Sequence, residues 1–437
     1  MIANQAATGL ACGHALDCLP LPASSRGRRR HRPDADSLQW AGDGGLGMDF
    51  EFSAGEERLR AEVRALLARE LPADWSTRSL LAAPDAEERA ELAKRVSKQL
   101  AERRWLAMAW PKEHGGLAAS YLEQLVFNEE SAYLDAPGAG GVGVSMVGPS
   151  LMLYGDAEQR RLYLPRIANA DDVWCALYSE PLAGSDLASI QTRAVRDGDE
   201  YVISGTKLWV AGARQANLGW LAARTDPHAP KHRGISTFVL PMDSPGISVR
   251  PIESLAGDAY LTEVQLDKVR VPAANLVGTE HRGWYQVATS LDFERSSIGA
   301  FAGGRRNIER LVGLAREDAR VVQQHPGVRY ALADRWIELQ VGQSLAYRIP
   351  FLQTQGITPN HEASVSKLYG SELTQRIAQT GLQMLGQSGL LAPGSSLAPF
   401  GGGLARQYLE SVGATIGGGT SEVLRNAVAQ RGLGLPR

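Results

Sequence analysis

The sequence lacks the features that mark several large classes of protein. Its 437 residues contain three cysteines, Cys12, Cys18 and Cys175, which are too few and too scattered for a disulfide framework or a zinc site. No run of 18 apolar residues occurs, so no membrane-spanning helix is predicted. Since the cysteines offer no zinc-ligand pattern, we also expect no metal site. The scarcity of cysteine favours a reducing compartment, and we predict a cytoplasmic protein.

An excess of charge of one sign is also missing. The 46 Lys and Arg residues and 48 Asp and Glu residues leave a formal net charge of −2, so the chain as a whole offers no polyanion-binding surface. The exception is the arginine run Arg26–Arg32. It admits a nucleic-acid-binding interpretation, but residues 1–47 show no apolar periodicity and we favour a solvated, disordered extension. We expect the natural start to lie near Met48, and removal of residues 1–47 to leave any activity unchanged.

A doubly wound nucleotide-binding sheet is not indicated, because neither βαβ alternation nor its glycine fingerprint occurs.

Apolar residues at three-to-four spacing predict helices, and Ser53 followed by Glu56 predicts a capping box at the first of them. These helices cover four segments: 52–69, 87–104, 121–133 and 159–168. Short runs bounded by Gly, Pro or Asp predict a hairpin and four further strands. These cover residues 193–210, 219–224, 236–240, 248–251 and 263–269.

Helical periodicity returns from Gly283 and persists to the C-terminus. The order of helices, strands and helices predicts an α+β multidomain protein. We expect an N-terminal α-helical domain over residues 48–170, a middle antiparallel β-sandwich or barrel over 171–285, and a C-terminal four-helix bundle over 286–437.

Two motifs in the middle segment resemble a family signature. Residues 178–186 are YSEPLAGSD and residues 197–209 are DGDEYVISGTKLW. They are similar to the (T/S)EPxAGSD loop and the DGDxYxxxGxKxW hairpin of the acyl-CoA dehydrogenases. Shorter matches occur at Trp110–Gly116, Val269–Pro272, Gln383–Gly386 and Gly418–Glu422. The resemblance covers residues 49–437 and agrees with the predicted order of elements.

The resemblance implies an enzyme that binds FAD and an acyl-CoA thioester. In this family a carboxylate removes the α-proton, a hydride leaves the β-carbon for flavin N5, and the product is the 2,3-enoyl-CoA. It also implies an electron-transfer flavoprotein or a similar acceptor as partner. A homo- or hetero-oligomer, such as a dimer of dimers, is expected, and neither nucleic acid nor a membrane is expected to be involved.

Site residues follow from the same resemblance. Ser179 is expected to donate to the flavin ring, Trp209 to cover one face of it, and Ser185 to lie near both cofactor and acyl-CoA. The small residues of the 178–186 loop also suit a turn with exposed N–H groups. The remaining implied cofactor contacts are Leu177, Ala211, Arg320, Gln383, Gly386, Thr420 and Ser421. Thr420 and Ser421 precede a helix start, which suits a phosphate.

Three positions depart from the family pattern. The family's usual Arg–x–x–Phe–Gly is replaced by Arg320–Val321–Val322–Gln323. Ala211 stands where a hydroxyl residue usually bonds near flavin N5, and its side chain cannot donate. Gly418 stands where many members carry the glutamate that acts as base.

A subset of the family takes its base from a Leu–x–x–Glu–Arg motif after the β-domain, which Leu291–Arg295 matches. We therefore predict Glu294 as the base. The predicted substrate contacts are Ser185, Asp292, Arg295, Gly418 and Gly419. Glu422 is a second candidate base, although an acid in a first helical turn more commonly complements the helix dipole.

Several alternatives stay open. Gly418 and Ala211 are compatible with a non-catalytic partner subunit that completes an oligomer. An acyl-CoA oxidase or a flavin monooxygenase would share the fold. The C-terminal motifs also resemble bacterial members that act on branched or steroid side-chain thioesters, several of which are mixed oligomers of two related chains.

Overall fold

The computed structural model describes residues 52–75, 86–257, 260–293, 297–317, 326–357, 359, 361–391 and 395–436, with the backbone alone at 86 and 289–293. The predicted extension over residues 1–47 lies outside these ranges, as do Glu294, Arg295 and Arg320. Within them, no helix is both long enough and apolar enough to cross a membrane.

The N-terminal part is helical, and local capping defines where its helices begin. The helices are α1 Ala54–Glu70, α2 Ala86–Glu102, α3 Tyr121–Tyr133, α4 Gly148–Tyr154 and α5 Ala157–Ala168. Ser53 and Glu56 form the predicted capping box: the Glu56 amide donates to Ser53 Oγ at 3.3 Å, and the Ser53 amide to Glu56 Oε2 at 2.6 Å. These bonds satisfy amide groups that a helix start leaves free.

The middle part is a single eight-stranded sheet. Its strands are β1 Trp174–Leu177, β2 Arg193–Asp197, β3 Glu200–Ala211, β4 Leu218–Arg224, β5 Ile235–Pro241, β6 Ile247–Pro251, β7 Leu261–Pro272 and β8 Leu276–Val277. The order across the sheet is β6-β7-β3-β2-β4-β5-β8, with β1 beside β4. Pairing is mostly antiparallel, but β1 runs parallel to β4, and β2 meets β4 in parallel through Arg193 and Arg224.

Strands β4 and β5 are buried on both faces. Leu221 and Phe238 pack into one core with Tyr201 of β3. From the opposite face, Trp220 and Val239 pack into the core that contains residues of α4 and α5. A strand covered on both faces carries a continuous apolar run instead of an alternating one. The sheet therefore rests on the N-terminal helices through one face of β4 and β5.

The C-terminal part is again helical. Its helices are α6 Gly283–Phe293, α7 Ile298–Glu317, α8 Val328–Thr354, α9 His361–Leu385, α10 Gly403–Ala414 and α11 Ser421–Ala427. Phe301, Leu339 and Leu373 belong to the core shared by α7, α8 and α9. A Cβ on Gly342 would lie 2.1 Å from the Phe301 ring, so α7 and α8 can approach closely only with glycine there. The predicted order of helical, β and helical parts is confirmed.

Candidate active site

A buried ion pair ties the 178–186 loop to strand β3. Lys207 has no exposed surface, and its Nζ donates to Glu180 Oε1 at 2.8 Å and to the Tyr178 carbonyl at 3.0 Å. The Glu180 carboxylate, 7% exposed, also accepts the amides of Gln191 at 2.6 Å and Thr192 at 3.0 Å. Every partner of this carboxylate is therefore a donor, which a buried charge requires.

The charges of this pair depend on each other. Burial lowers the pKa of Lys207 to about 8, and the charge of Glu180 opposes that shift. Burial alone would raise the pKa of Glu180, but the charge of Lys207 and the donated hydrogen bonds hold that pKa below its ordinary value. Glu180 is thus an ionised structural anchor at neutral pH. A carboxylate with this environment is poorly suited to accept a proton as a general base.

Main-chain bonds bring Ser179 beside Trp209. The Leu208 amide donates to the Ser179 carbonyl at 2.9 Å, and Trp209 is the next residue along β3. Within the loop, Glu180 and Ala183 exchange two main-chain hydrogen bonds of 3.1 Å each. The loop is therefore closed on itself and fastened to the strand that carries the tryptophan.

Trp209 has a strained backbone and an exposed ring. Its φ is +60°, and it lies where the β3–β7 register shifts between Lys207 and Val210. A positive φ is rare for a bulky side chain, and a β-bulge redirects the side chain that it carries. The Trp209 side chain is 56% exposed instead of buried in the core. Strained residues of this kind concentrate at ligand-binding sites.

The other middle-domain residues of the predicted site lie in different environments. Ser185 is exposed, and its neighbour Asp186 accepts a hydrogen bond from Lys231 Nζ at 2.8 Å. Leu177 is fully buried, so its side chain belongs to the core of the sheet. Ala211 is half-buried at the end of β3, paired with Leu261 of β7.

A second group lies on the C-terminal helices. Thr420 caps α11, where its Oγ1 accepts the Val423 amide at 3.2 Å. Ser421 is 6% exposed, and its hydroxyl has no hydrogen-bond partner within the described part of the chain. Both residues line a groove of about 360 Å³ with Arg376 of α9 and Arg425 of α11. The groove thus offers hydroxyl and cationic groups, together with the carboxylates of Glu372 and Glu422, and Glu372 pairs with Arg425 at 2.7 Å.

The turn before Thr420 depends on glycine and on one lysine. Gly418 has φ +69° and Gly419 has φ +105°, both in the region that favours glycine. Lys367 Nζ of α9 donates to the Gly419 carbonyl at 2.8 Å and to the Ala414 carbonyl at 3.1 Å. Burial lowers the pKa of Lys367. The turn is therefore held from α9 by a cation that the sequence did not single out.

The last two predicted cofactor residues lie near the end of α9. Gln383 is exposed on the final turn of that helix. Gly386 has φ +55° and begins the short 3-10 helix Gly386–Leu390. Asp292 lies in the last turn of α6.

Glu180 and Lys207 lie in the two family motifs, but no individual role was predicted for either. A signal for the pair was present, because Tyr201, Ile203 and Lys207 share one face of β3 by the alternation of a strand. A lysine on the buried face of a strand requires an acidic partner. No comparable signal marked Lys367. Among the described residues, no three His, Cys, Asp or Glu side chains are grouped to hold a metal ion.

Family models match nearly all of the described chain. The N-terminal, middle and C-terminal domains of acyl-CoA dehydrogenase match residues 53–171, 175–269 and 281–433. The chain belongs to the acyl-CoA dehydrogenase family. Members of this family are flavoprotein oxidoreductases, so the predicted family and enzyme class are confirmed.

The chain matches individual relatives over almost their whole length. Acyl-CoA dehydrogenase IpdE1 of Mycobacterium tuberculosis is 34% identical over 385 residues, 87% of this chain and 98% of the relative. The solved steroid acyl-CoA dehydrogenase Tcur3481-Tcur3483 is 38% identical with a TM-score of 0.80, covering 89% of this chain and 100% of that one. The ChsE4-ChsE5 complex of Mycobacterium tuberculosis is 33% identical with a TM-score of 0.78, covering 89% and 100%.

Proposed function

We propose that this chain is an FAD-dependent acyl-CoA dehydrogenase that converts an acyl-CoA thioester to its 2,3-enoyl form. The observation that carries the proposal is the pairing of the 178–186 loop with the exposed, strained Trp209. An aromatic wall beside a loop of small residues suits the face of a planar cofactor. The backbone strain at Trp209 is accounted for if its ring has a ligand to cover.

The residues fit a flavin in two places. Ser179 and Trp209 would hold the ring, and the C-terminal residues Gln383, Gly386, Thr420 and Ser421, with Arg320, would hold the adenosine and phosphate part. The unpartnered hydroxyl of Ser421 supports this assignment, because a buried polar group without a partner is costly. FAD supplies the hydride acceptor when it is bound. Ala211 contributes no side-chain donor, so any donor there must come from the main chain.

The proposed base is Glu294. Gly418 has no acidic side chain, and its φ of +69° would strain a glutamate in its place. Glu294 follows α6 in the Leu–x–x–Glu–Arg motif, where it would take the α-proton while Arg295 supports the site. Hydrogen-bond donors directed at the thioester oxygen would stabilise the developing enolate. The segments that contain Ser185 and Gly419 are candidates to provide these donors.

Anaerobic mixing of the purified flavoprotein with acyl-CoA tests this assignment. We expect Glu294→Gln to keep its bound flavin and to slow the bleaching of the flavin absorbance by about 10²–10⁴-fold, the range of a general base. Glu422→Gln is the matched control, because Glu422 is the other candidate acid, and it should bleach at the wild-type rate. Normal turnover by Glu294→Gln, or loss of turnover in Glu422→Gln, would contradict the assignment.

We further propose a bulky acyl group, branched or derived from a steroid side chain, and assembly with a related second chain. Relatives named as a steroid enzyme and as a two-protein complex support this. An electron-transfer flavoprotein or similar acceptor, and a cytoplasmic location, remain predictions. The competing function is a non-catalytic partner subunit, which Gly418 and Ala211 favour. Bound flavin per chain, measured with and without the second chain, decides between them, since a chain that is colourless in both preparations is not the catalytic subunit.

A further inference from the structure

Arg224, at the end of β4, is a buried cation whose hydrogen bonds within the described part of the chain go to main-chain carbonyls. Arg224 is 8% exposed. Its Nε donates to Ile190 at 3.1 Å and its Nη1 to Arg233 at 3.0 Å. Its Nη2 donates to Ala188 at 2.6 Å and to Lys231 at 3.3 Å. Among the described residues, no carboxylate lies within ion-pair distance of this guanidinium.

The four acceptors belong to two loops. Ala188 and Ile190 come shortly after Ser185 and Asp186, and the segment 185–190 is named here the serine loop. Lys231 and Arg233 lie in the segment 225–234 between β4 and β5, named here the β4–β5 loop. The two loops also meet on the surface, where Lys231 Nζ donates to both Asp186 oxygens, at 2.9 and 2.8 Å. One buried arginine and one exposed ion pair therefore join the same two segments.

This arrangement is unusual for a buried charge. Burial lowers the pKa of Arg224, opposed by the more distant charges of Glu180 and Asp226. A buried arginine ordinarily meets a carboxylate, because desolvation of the charge has to be offset. Here the planar guanidinium fork is filled by four carbonyls whose positions it sets relative to one another. A lysine carries the same charge but has no fork with which to reproduce that spacing.

We propose that Arg224 is a positioning residue that holds the serine loop and the β4–β5 loop in one arrangement, so that Ser185 meets the acyl-CoA thioester on a preformed surface. The role of Ser185 rests on the proposed function. The fastening of the two loops does not. Arg224 itself touches neither substrate nor cofactor, and its effect passes through the loops.

Hydrogen exchange on the full-length protein tests the fastening. Arg224→Lys keeps the charge and removes the fork, and Arg224→Met removes both. Arg270→Met is the matched control, because Arg270 lies on β7 of the same sheet and pairs with Asp197 and Glu200 at 2.7 Å each. We expect both loops to exchange faster together in Arg224→Lys and neither to change in Arg270→Met. Wild-type exchange in both loops, or a change in one loop alone, would overturn the proposal. Arg224→Lys is decisive if Arg224→Met does not fold.

Steady-state kinetics test the consequence for the substrate. We expect Arg224→Lys to bind flavin as the wild type does and to raise KM for acyl-CoA roughly ten- to a hundredfold, the cost of a misplaced binding group, with kcat less affected. Loosened loops with an unchanged KM would overturn the positioning role. A wild-type chain without acyl-CoA activity would instead overturn the proposed function, and the exchange result would still decide whether Arg224 fastens the loops.

Discussion

Two buried carboxylate clusters in this molecule are built on different kinds of support. The first, named here the helix cluster, contains Glu129 and Glu130 of α3, which are 1% and 0% exposed. Arg60 of α1 contacts both, at 3.0 and 2.5 Å, and Arg64 contacts Glu130 at 2.5 Å. Tyr347 of α8 donates to Glu129 at 2.9 Å. The second, named here the loop pair, is Glu180 with Lys207.

The contrast lies in what else holds the connected segments. The helix cluster joins α1, α3 and α8, which also contribute side chains to hydrophobic cores. It has several cations, so one can compensate for another. The loop pair has one cation, and the loop it holds exposes Leu182, Gly184 and Ser185. Loss of a charge should therefore affect mainly stability in the helix cluster, and both stability and ligand binding in the loop pair.

The largest effect is expected from Lys207→Met. It leaves the Glu180 carboxylate buried without its cation, which costs about 3–5 kcal/mol of the free energy of unfolding, and it releases the loop beside Trp209. The free energy of unfolding measured by urea denaturation and the amount of bound flavin per chain should both fall. Lys98→Met is the control, because Lys98 and Asp171 form an exposed pair at 2.5 Å whose loss should cost less than about 1 kcal/mol. Equal losses in the two variants would remove the contrast.

Glu130→Gln should lower stability without affecting the site. It removes charge-assisted hydrogen bonds to Arg60 and Arg64, worth about 1.5–3 kcal/mol, while Glu129 remains as a partner for Arg60. Chemical denaturation should report this loss, with bound flavin and KM for acyl-CoA unchanged. A variant that folds but loses flavin would show that the helix cluster also supports the site.

The pH dependence of stability should differ between wild type and Glu180→Gln. Folding holds the pKa of Glu180 below its ordinary value of 4.5, so the folded state binds fewer protons than the unfolded state near that pH. The stabilisation is present above the ordinary value and is lost as the pH falls through the folded-state pKa. Between about pH 6 and pH 3, the wild type should lose more free energy of unfolding than the variant. Parallel curves would contradict this linkage.

The smallest effect on stability is expected from Trp209→Gly. Glycine adopts a positive φ freely, so the relieved strain of about 1–2 kcal/mol should offset the loss of packing by a side chain that is 56% exposed. Bound flavin should nevertheless fall, because the aromatic wall is gone, and Trp209→Phe should retain more of it. Thermal denaturation and flavin absorbance measure the two quantities separately. Full flavin retention in Trp209→Gly would remove Trp209 from the site.

The features predicted correctly are those that local sequence determines. The capping box of Ser53 and Glu56 and the hairpin of β2 and β3 depend on residues a few positions apart. The parallel placement of β1 beside β4 was not predicted, because it joins segments separated by two strands and a loop. The family was predicted from the two motifs, but nothing in the residue types indicated the positive φ of Trp209.

The order of helices and strands, the family, and the absence of an acid at Gly418 follow from periodicity, motifs and residue identity, which can be taken directly from the chain. The way in which the loop is held against β3, and the cation that holds it, became known from the folded molecule. Lys207 and Glu180 are 27 residues apart, and Arg224 reaches Ile190 across 34. Such contacts arise when folding buries distant charges together, and they form because an unpaired buried charge is too costly to remain.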